Sequence, residues 1–369
     1  MSQNLIHPTG ILDAGTVADL LTRMPEDGTS ILDFSDVPEI RFSALRTLMN
    51  ARRAGRCFSI INASDQVVRR FVDSGVAAFI DVCRKPERLD MTKYEEFGAS
   101  YMSKSYNSAD GDAMIKVYGN NVPQEMVAHE KAVARAVMLF GLPTPLVGTL
   151  YADGGKTALD FERIPGKRSF SRIISEEPER TEEITRRFAR MCRQLHATPC
   201  DTAIFEDKAL AHREAVIRCK DLTDSEKAKI LAFVDSIPAA TTCIHGDLQM
   251  SNVIMTPEGE ELWIDLGDFG YGHPMLDLAM WYFLTRLNNE ERSQQLFHLG
   301  LEQLARIWDL FVEEYAEASS PEEKEAFEQE VRPYAALHML LLGVNVGFVP
   351  GMLDQIKSIL LPGSGPDRN

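Results

Sequence analysis

The stretch Cys243–Asp268, CIHGDLQMSNVIMTPEGEELWIDLGD, places two acids and an amide, Asp247, Asn252 and Asp265, around what reads as a β-hairpin. Acids and amides are turn residues and poor strand formers, so their place at the mouth of a hairpin needs a reason. If NVIM (252–255) pairs antiparallel with LWID (262–265) across the turn TPEGEE, Asn252 stands opposite Asp265 at the open end. An amide oxygen and a carboxylate suit a hard cation such as magnesium, which completes its shell with water and substrate phosphates. Asp247, five residues before Asn252, lies in the loop entering the first strand and is the natural general base for a substrate hydroxyl. Capping a turn would explain any one of these residues but not their joint spacing. Phosphoryl transfer needs a base, a two-ligand metal clamp and a phosphate-holding lysine together.

The lysine is expected upstream. DAMIKVYG puts Lys116 on a strand with Met114 and Tyr118 on the same face. The following helix, about Gln124 to Phe140, aligns Met126, Glu130, Val133 and Val137, so Glu130 falls inside an otherwise apolar stripe. A buried carboxylate requires a partner, and an ion pair to Lys116 would satisfy Glu130 while fixing the lysine toward nucleotide phosphates. Glu125 points elsewhere on the helical wheel and is the weaker candidate.

Around these motifs the chain divides by pattern. Residues 1–85 alternate β-like runs (SILDF, CFSIIN, FIDV) with helical ones (DAGTVADLLTRM, SALRTLMNARRAG, SDQVVRRFVDSGV), the signature of a small α/β layer expected to fold alone. A charged linker is expected over 86–93. Antiparallel hairpins follow over 94–164, and then a mainly helical region over 165–360, whose EITRRFARMCRQL shows the apolar stripe Ile184, Phe188, Met191, Cys192 and Leu195. The polar end, 361–369, reads as a flexible tail.

Composition narrows the classes. A formal net charge of -16 over 369 residues argues against a phosphate-backbone footprint, and hence against nucleic acid as a partner. The most apolar stretch, HMLLLGVNVGFVPGML, is broken by Asn345, glycines and Pro350, so no membrane span is expected and the protein is read as cytoplasmic. Six cysteines without a C-x-x-C pair fit buried thiols better than disulfides or a zinc site.

HGDLQMSN followed by WIDLGDFGYGHPMLDLA resembles the catalytic and metal loops of the aminoglycoside phosphotransferase and choline kinase group of protein-kinase-like enzymes, over about residues 92–360. The resemblance implies a bilobal α+β fold, with a small β-rich lobe and a large helical one. It also implies Asp247 as catalytic base, Asn252 and Asp265 as magnesium ligands, and Lys116 and Glu130 as the nucleotide-holding pair. The hinge of that family is similar to DFERIPG, where backbone atoms of Phe161, Glu162 and Arg163 would meet adenine. Asp277 of DLA is by the same resemblance a structural residue, expected as a helix cap outside the active site. Two departures stand out: EFGASYMSK offers only Gly98 where a glycine-rich loop would cradle phosphates, and Asp268 is an extra acid beside the metal loop, either a contact to a second ion or a surface group.

Residues 5–85 resemble a different family, the STAS domains of anti-sigma-factor antagonists, through HPTGILDAGTVADLL, SILDFSDVPEIRFSALRTLM and FSIINASDQVVRRFVDSGV. Regulated members carry D-S-S-G-L where this chain has Arg41-Phe42-Ser43-Ala44-Leu45, so Phe42 replaces the phospho-acceptor serine, with Ser43 as its only neighbouring substitute. Such a domain implies either a protein partner or a docking role within the chain.

The reading is a phosphotransferase moving the γ-phosphate of ATP or GTP, with Mg2+, to a hydroxyl of a small molecule. The acidic runs EEPERTEE and VEEYAEASSPEEKEAFEQE could attract a cationic acceptor such as an aminoglycoside or amino alcohol, or could be charged faces of exposed helices. A second reading stays open, a weakly catalytic or non-catalytic nucleotide-binding signalling module acting through the STAS-like domain. A protein kinase is disfavoured because no phosphorylatable activation segment separates IDLGD from GHPMLDLA.

Overall fold

Ile31 and Leu32 are adjacent and both buried, as are Ile60 and Ile61, and this double burial organises the first third of the chain. Successive residues of a strand face opposite sides, so a sheet with such pairs must be covered on both faces. In the computed structural model, which describes residues 4–25, 29–99, 103–153, 155–202, 204–287 and 289–361, the chain forms two units, 1–165 and 166–369.

The first unit begins with a four-stranded parallel sheet of β1 (Asn4–Ile6), β2 (Thr29–Asp33), β3 (Cys57–Ala63) and β4 (Val82–Arg84), in that order. Its helices are α1 (Ala14–Thr22), α2 (Phe42–Arg53) and α3 (Asp65–Asp73). Asp13 and Thr16 form a capping box at the start of α1, and Ser64 accepts from the Val67 amide at the start of α3. Leu32, Phe58 and Ile60 pack with Val17, Leu20, Leu45, Leu48 and Phe71 on one face. The expected strand FIDV lies two to three residues later, over 82–84, because Val76–Ala78 forms a 3-10 turn that uses the preceding chain. Strand β1 carries no alternation in sequence and becomes visible only through its pairing with β2.

The other face of that sheet is covered by the second layer of the same unit. This is an antiparallel sheet of order β5-β6-β7-β9-β8, made of β5 (Tyr94–Ala99), β6 (Ser103–Ser108), β7 (Ala113–Tyr118), β8 (Val147–Asp153) and β9 (Lys156–Glu162), with α4 (Gln124–Leu139) between β7 and β8. Ile31 and Ile61 pack against Tyr118, Val122, Val127 and Ala128. Gln124 Nε2 donates to Asn62 Oδ1 at 2.8 Å, and Arg135 Nη1 to Asp81 Oδ1 at 2.9 Å. Within the expected linker, Glu87 bridges to Tyr151. Helix α4 is therefore tied to the parallel layer through its first turn and again at Arg135. Its buried stripe includes Val127, Ala128, Val133 and Val137, but Met126 is 49% exposed, a correction that follows from α4 turning Val127 and Ala128 toward the parallel sheet.

The second unit carries β10 (Arg168–Ser169), α5 (Phe170–Glu176), α6 (Thr181–Ala197), α7 (Lys208–Arg218), α8 (Asp224–Ser236), β11 (Cys243–Ile244), β12 (Val253–Met255), β13 (Glu261–Trp263) and β14 (Gly270–Tyr271). Helices α9 (Met275–Arg286), α10 (Glu290–Phe297), α11 (Leu301–Tyr315), α12 (Pro321–Val346) and α13 (Met352–Leu360) follow. The stripe Ile184, Phe188, Met191, Cys192 and Leu195 on α6 is buried throughout. Phe188 meets Trp263, Trp281 and Phe311 at ring-centroid distances of 6.2, 5.1 and 5.7 Å. This aromatic core fixes β13, two residues before Asp265, and α9, which carries Asp277. All six cysteines are free thiols. Among the described residues no helix is long and apolar enough to cross a membrane. Of the expected tail, 362–369 lies outside the described residues.

Candidate active site

The H-G-D loop is built by local necessity. β11 pairs antiparallel with β14, and the chain then turns at Gly246, whose φ is +84°. A Cβ at Gly246 would lie 2.0 Å from the Asp268 carbonyl oxygen, so only glycine fits this backbone-on-backbone contact. His245 is fully buried; its Nδ1 accepts from the Asp247 amide at 3.3 Å and its Nε2 reaches the Ile264 carbonyl at 3.1 Å. A carbonyl can only accept, so the proton of a neutral His245 sits on Nε2. The imidazole thereby ties the loop of Asp247 to the residue before Asp265.

Asp277 is the second tie, and its role differs from the expected helix cap. It sits in the first turn of α9, 1% exposed, with Oδ2 accepting from the His245 amide at 2.6 Å and Oδ1 from the Gly246 amide at 2.7 Å. His196 Nε2 lies 3.1 Å from Oδ2, and its Nδ1 is 2.8 Å from the Tyr315 hydroxyl. Burial alone would raise the carboxyl's pKa, but the hydrogen bonds from His196 and the His245 amide, with the electrostatic influence of the two nearby imidazoles, outweigh it and hold Asp277 below its ordinary value. Asp277 thus caps the H-G-D loop rather than its own helix.

Asp247 Oδ2 accepts from Asn252 Nδ2 at 2.9 Å, and Gln249 Nε2 reaches Oδ1 at 3.0 Å and Oδ2 at 2.9 Å. Burial raises the Asp247 pKa and the negative charge of Asp265 adds to the rise; His245, Gln249 and Asn252 act in the opposite sense. Asn252 is 6% exposed and spends both amide hydrogens on Asp247, on its main-chain oxygen and on Oδ2, while its own Oδ1 accepts no hydrogen bond among the described residues. Asp265 adopts φ 59°, ψ 55°, a left-handed conformation uncommon outside glycine, which turns the chain sharply at the end of β13.

The hairpin register departs from the expected one. Val253 pairs with Trp263 and Met255 with Glu261, so Asn252 stands opposite Ile264, whose amide donates to the Asn252 carbonyl at 3.0 Å. Asp265 lies one residue beyond that pair. The cause is the turn: Thr256 N–H donates to Glu260 O at 2.9 Å and Gly259 takes φ +91°, closing a five-residue loop where six were expected. Asp268 is exposed, in the 3-10 turn Leu266–Asp268. Among the described residues no group of three or more His, Cys, Asp or Glu side chains forms a metal cluster.

In the first unit, Lys116 Nζ lies 3.0 Å from Glu130 Oε1, with side-chain exposures of 20% and 13%. Tyr118, which sequence reading left as a face neighbour, donates its hydroxyl to Glu130 Oε2 at 2.7 Å, and its ring lies 5.2 Å from the lysine nitrogen. Glu130 is thus held from two sides. Phe161 and Glu162 end β9, and Arg163 follows; the Glu162 amide donates to Leu146 O at 2.8 Å and the Arg163 amide to Asp112 O at 3.1 Å. The backbone donors of these two residues are used within the sheet. Gly98 lies on β5, while residues 100–102 of its hairpin are outside the described residues.

Residues 107–309 match the family model described as the phosphotransferase enzyme family. The chain belongs to that family. Its fold is similar to that of a thermostable aminoglycoside phosphotransferase mutant solved in a ternary complex with AMP-PNP and hygromycin B: 13% identity, 74% of this chain and 95% of that one, TM-score 0.51. An aminoglycoside-3'-phosphotransferase of type VIII aligns at 22% identity over 67% of this chain and 94% of its own, TM-score 0.47. A choline kinase from Streptococcus pneumoniae aligns at 14% identity over 79% and 97%, TM-score 0.43. No curated protein sequence matches. The phosphotransferase match begins after the parallel layer, and the HGDLQMSN and IDLGD motifs both fall within it.

The acids of the two acidic runs are largely committed to arginine and lysine partners. Glu177 pairs with Arg168 and Arg180, Glu183 with Arg180 and Arg187, Glu313 with Arg186 and Lys324, and Glu314 with Arg186 and Arg190. They are ion-paired helix faces.

Proposed function

We propose that this phosphotransferase transfers the γ-phosphoryl group of ATP or GTP to a hydroxyl of a small molecule, with Asp247 as general base. The observation that carries the reading is the half-buried Asp247 carboxylate, both of whose oxygens are oriented by Asn252 and Gln249; burial also raises its basicity. A base near neutrality is the most effective, and burial moves a carboxylate in that direction. The substrate O–H gives its proton to an Asp247 oxygen as its own oxygen bonds the γ-phosphorus; the bond from γ-phosphorus to the β–γ bridging oxygen breaks, and the nucleoside diphosphate leaves with that electron pair. Gln249 yields one of its contacts to the incoming hydroxyl.

Asn252 and Asp265 would hold magnesium: the free Asn252 Oδ1 and the Asp265 carboxylate are the hard oxygen donors this cation selects. When bound, the ion neutralises charge that builds on the phosphate oxygens. Lys116, steadied by Glu130 and Tyr118, would hold the α- and β-phosphates, and residues 161–163 would line the purine through side chains and carbonyl oxygens. The STAS-like reading of residues 1–85 is supported by the parallel sheet and its helices. Phe42, 63% exposed at the start of α2 with the Arg70 guanidinium 4.6 Å from its ring centroid, gives that helix an apolar tip suited to a protein partner in place of a phosphate.

The test is nucleotide turnover with magnesium, ATP or GTP, and a panel of amino alcohols, aminosugars and sugars, beside Asp247→Asn. Acceptor-dependent turnover should fall by roughly a hundred to ten thousand fold in the variant, the range for a positioned general base. Unchanged turnover refutes the role of Asp247. Nucleotide binding that no acceptor stimulates would favour the signalling-module reading.

A further inference from the structure

A cavity of 260 Å³ opens within the first unit where the parallel layer meets α4. Its rim carries Arg84 and Lys85 from the end of β4 and Lys131 and Arg135 from α4, against the single acid Glu87. Two of these cations have acidic neighbours: Arg84 lies 3.5 Å from Asp65 with both side chains well exposed, and Arg135 lies 2.9 Å from Asp81. Lys85 and Lys131 make no ion pair among the described residues. In a chain of net charge -16 such a convergence is a local reversal of sign, and a concave wall focuses its field. The floor is apolar, formed by Val68, Val82 and Leu150.

We propose that this cavity is a binding site for a small amphipathic anion, one phosphate or carboxylate group on a compact apolar body. The cavity falls just below the roughly 300–1,000 Å³ of pockets for drug-sized ligands, so its occupant is small. The anionic group meets Lys85 and Lys131, the two rim cations outside the Arg84–Asp65 and Arg135–Asp81 pairs, and the apolar body covers Val82 and Leu150. An occupant touches β4 and α4 at once and so braces the parallel layer against the helix that carries Glu130. The site stands on its lining alone and does not depend on the phosphotransferase reading.

The test is calorimetric titration of the full chain with phenyl phosphate as probe, with inorganic phosphate and phenol as its two halves. One saturable site is expected, binding phenyl phosphate at least tenfold more tightly than either half. Affinity should fall at least tenfold in Lys85→Gln/Lys131→Gln and be kept in Lys85→Arg/Lys131→Arg. Ala77→Glu, which places a carboxylate on the cavity wall, should abolish it without touching either lysine. Absence of saturable binding, equal affinity for inorganic phosphate, or unchanged binding in both the glutamine double variant and Ala77→Glu would overturn the proposal.

Discussion

Replacing Asp277 should destabilise the helical unit more than any other single change near the loop. Its carboxylate is 1% exposed and accepts hydrogen bonds from the His245 and Gly246 amides and from His196, at 2.6, 2.7 and 3.1 Å. Asp277→Ala leaves two buried N–H groups and an imidazole without an acceptor. Orphaned buried groups cost about 1–3 kcal/mol each, and removing one partner of a buried charged cluster costs about 3–5 kcal/mol in total. At about 2–4 °C per kcal/mol for a unit of this size, Asp277→Ala should melt roughly 6–20 °C below the parent. Asp277→Asn should fall between the two, because its Oδ1 keeps an acceptor while its NH2 must face a donor. The assay is thermal unfolding of the full chain at pH 7, followed by the same scans at lower pH. Asp277 titrates below its ordinary value in the folded state, so its contribution is fully present above the unfolded pKa of 3.8 and is lost as pH falls through the folded value. A melting temperature within about 2 °C of the parent for Asp277→Ala would show that the loop does not depend on this anchor.

Other expectations follow from single contacts. Gly246→Ala must move the Asp268 carbonyl and hold alanine at φ +84°, a cost of roughly 2–5 kcal/mol from strain and overpacking that a urea titration would read; an unchanged midpoint would contradict it. Burial pushes the His212 imidazole down to about 3 and His338 down to about 4, with each ring holding a buried nitrogen that has no hydrogen-bond partner among the described residues. Since both folded values lie below the unfolded 6.5, their stability is fully present above that pH and lost as pH falls toward the folded values. The loss approaches about 1.4 kcal/mol per pH unit for each, and His338→Leu should flatten the stability profile between about pH 6 and 4. An equally steep profile in that variant would count against it. Tyr118→Phe removes the 2.7 Å hydrogen bond to Glu130 and should raise the nucleotide KM roughly two- to tenfold, while Glu130→Ala, which removes the carboxylate 3.0 Å from Lys116 Nζ, should raise it further; the reverse order would show that Tyr118, not Glu130, holds the lysine.

Much of this molecule is written in local pattern. The helix from Gln124, the hairpin around TPEGEE and the buried stripe of α6 follow from periodicity and turn chemistry, which act over a few residues. Glu130 was legible because a carboxylate inside an apolar stripe must find a cation, and Lys116 waited on the neighbouring strand. Tyr118 had a weaker signal, two residues beyond that lysine on the same face. The double covering of the parallel sheet also had one, in the adjacent apolar pairs Ile31-Leu32 and Ile60-Ile61, which one-sided burial does not produce.

Sequence alone determined which residue types would lie along the H-G-D loop and the hairpin after it, because Asp247, Asn252 and Asp265 are spaced by the covalent chain itself. It could not determine the one-residue register of the hairpin, which depends on whether Thr256 closes on Glu260 or on a later residue, a difference of a single turn hydrogen bond. Nor could it assign Asp277. The donors that Asp277 satisfies lie 31 and 32 residues earlier, and they reach it only because the aromatic core around Phe188 and Trp281 sets α9 beneath the loop. Tertiary packing decided those contacts, since a buried carboxylate takes whichever donors the fold brings within about 3 Å, and no short-range pattern records which they will be.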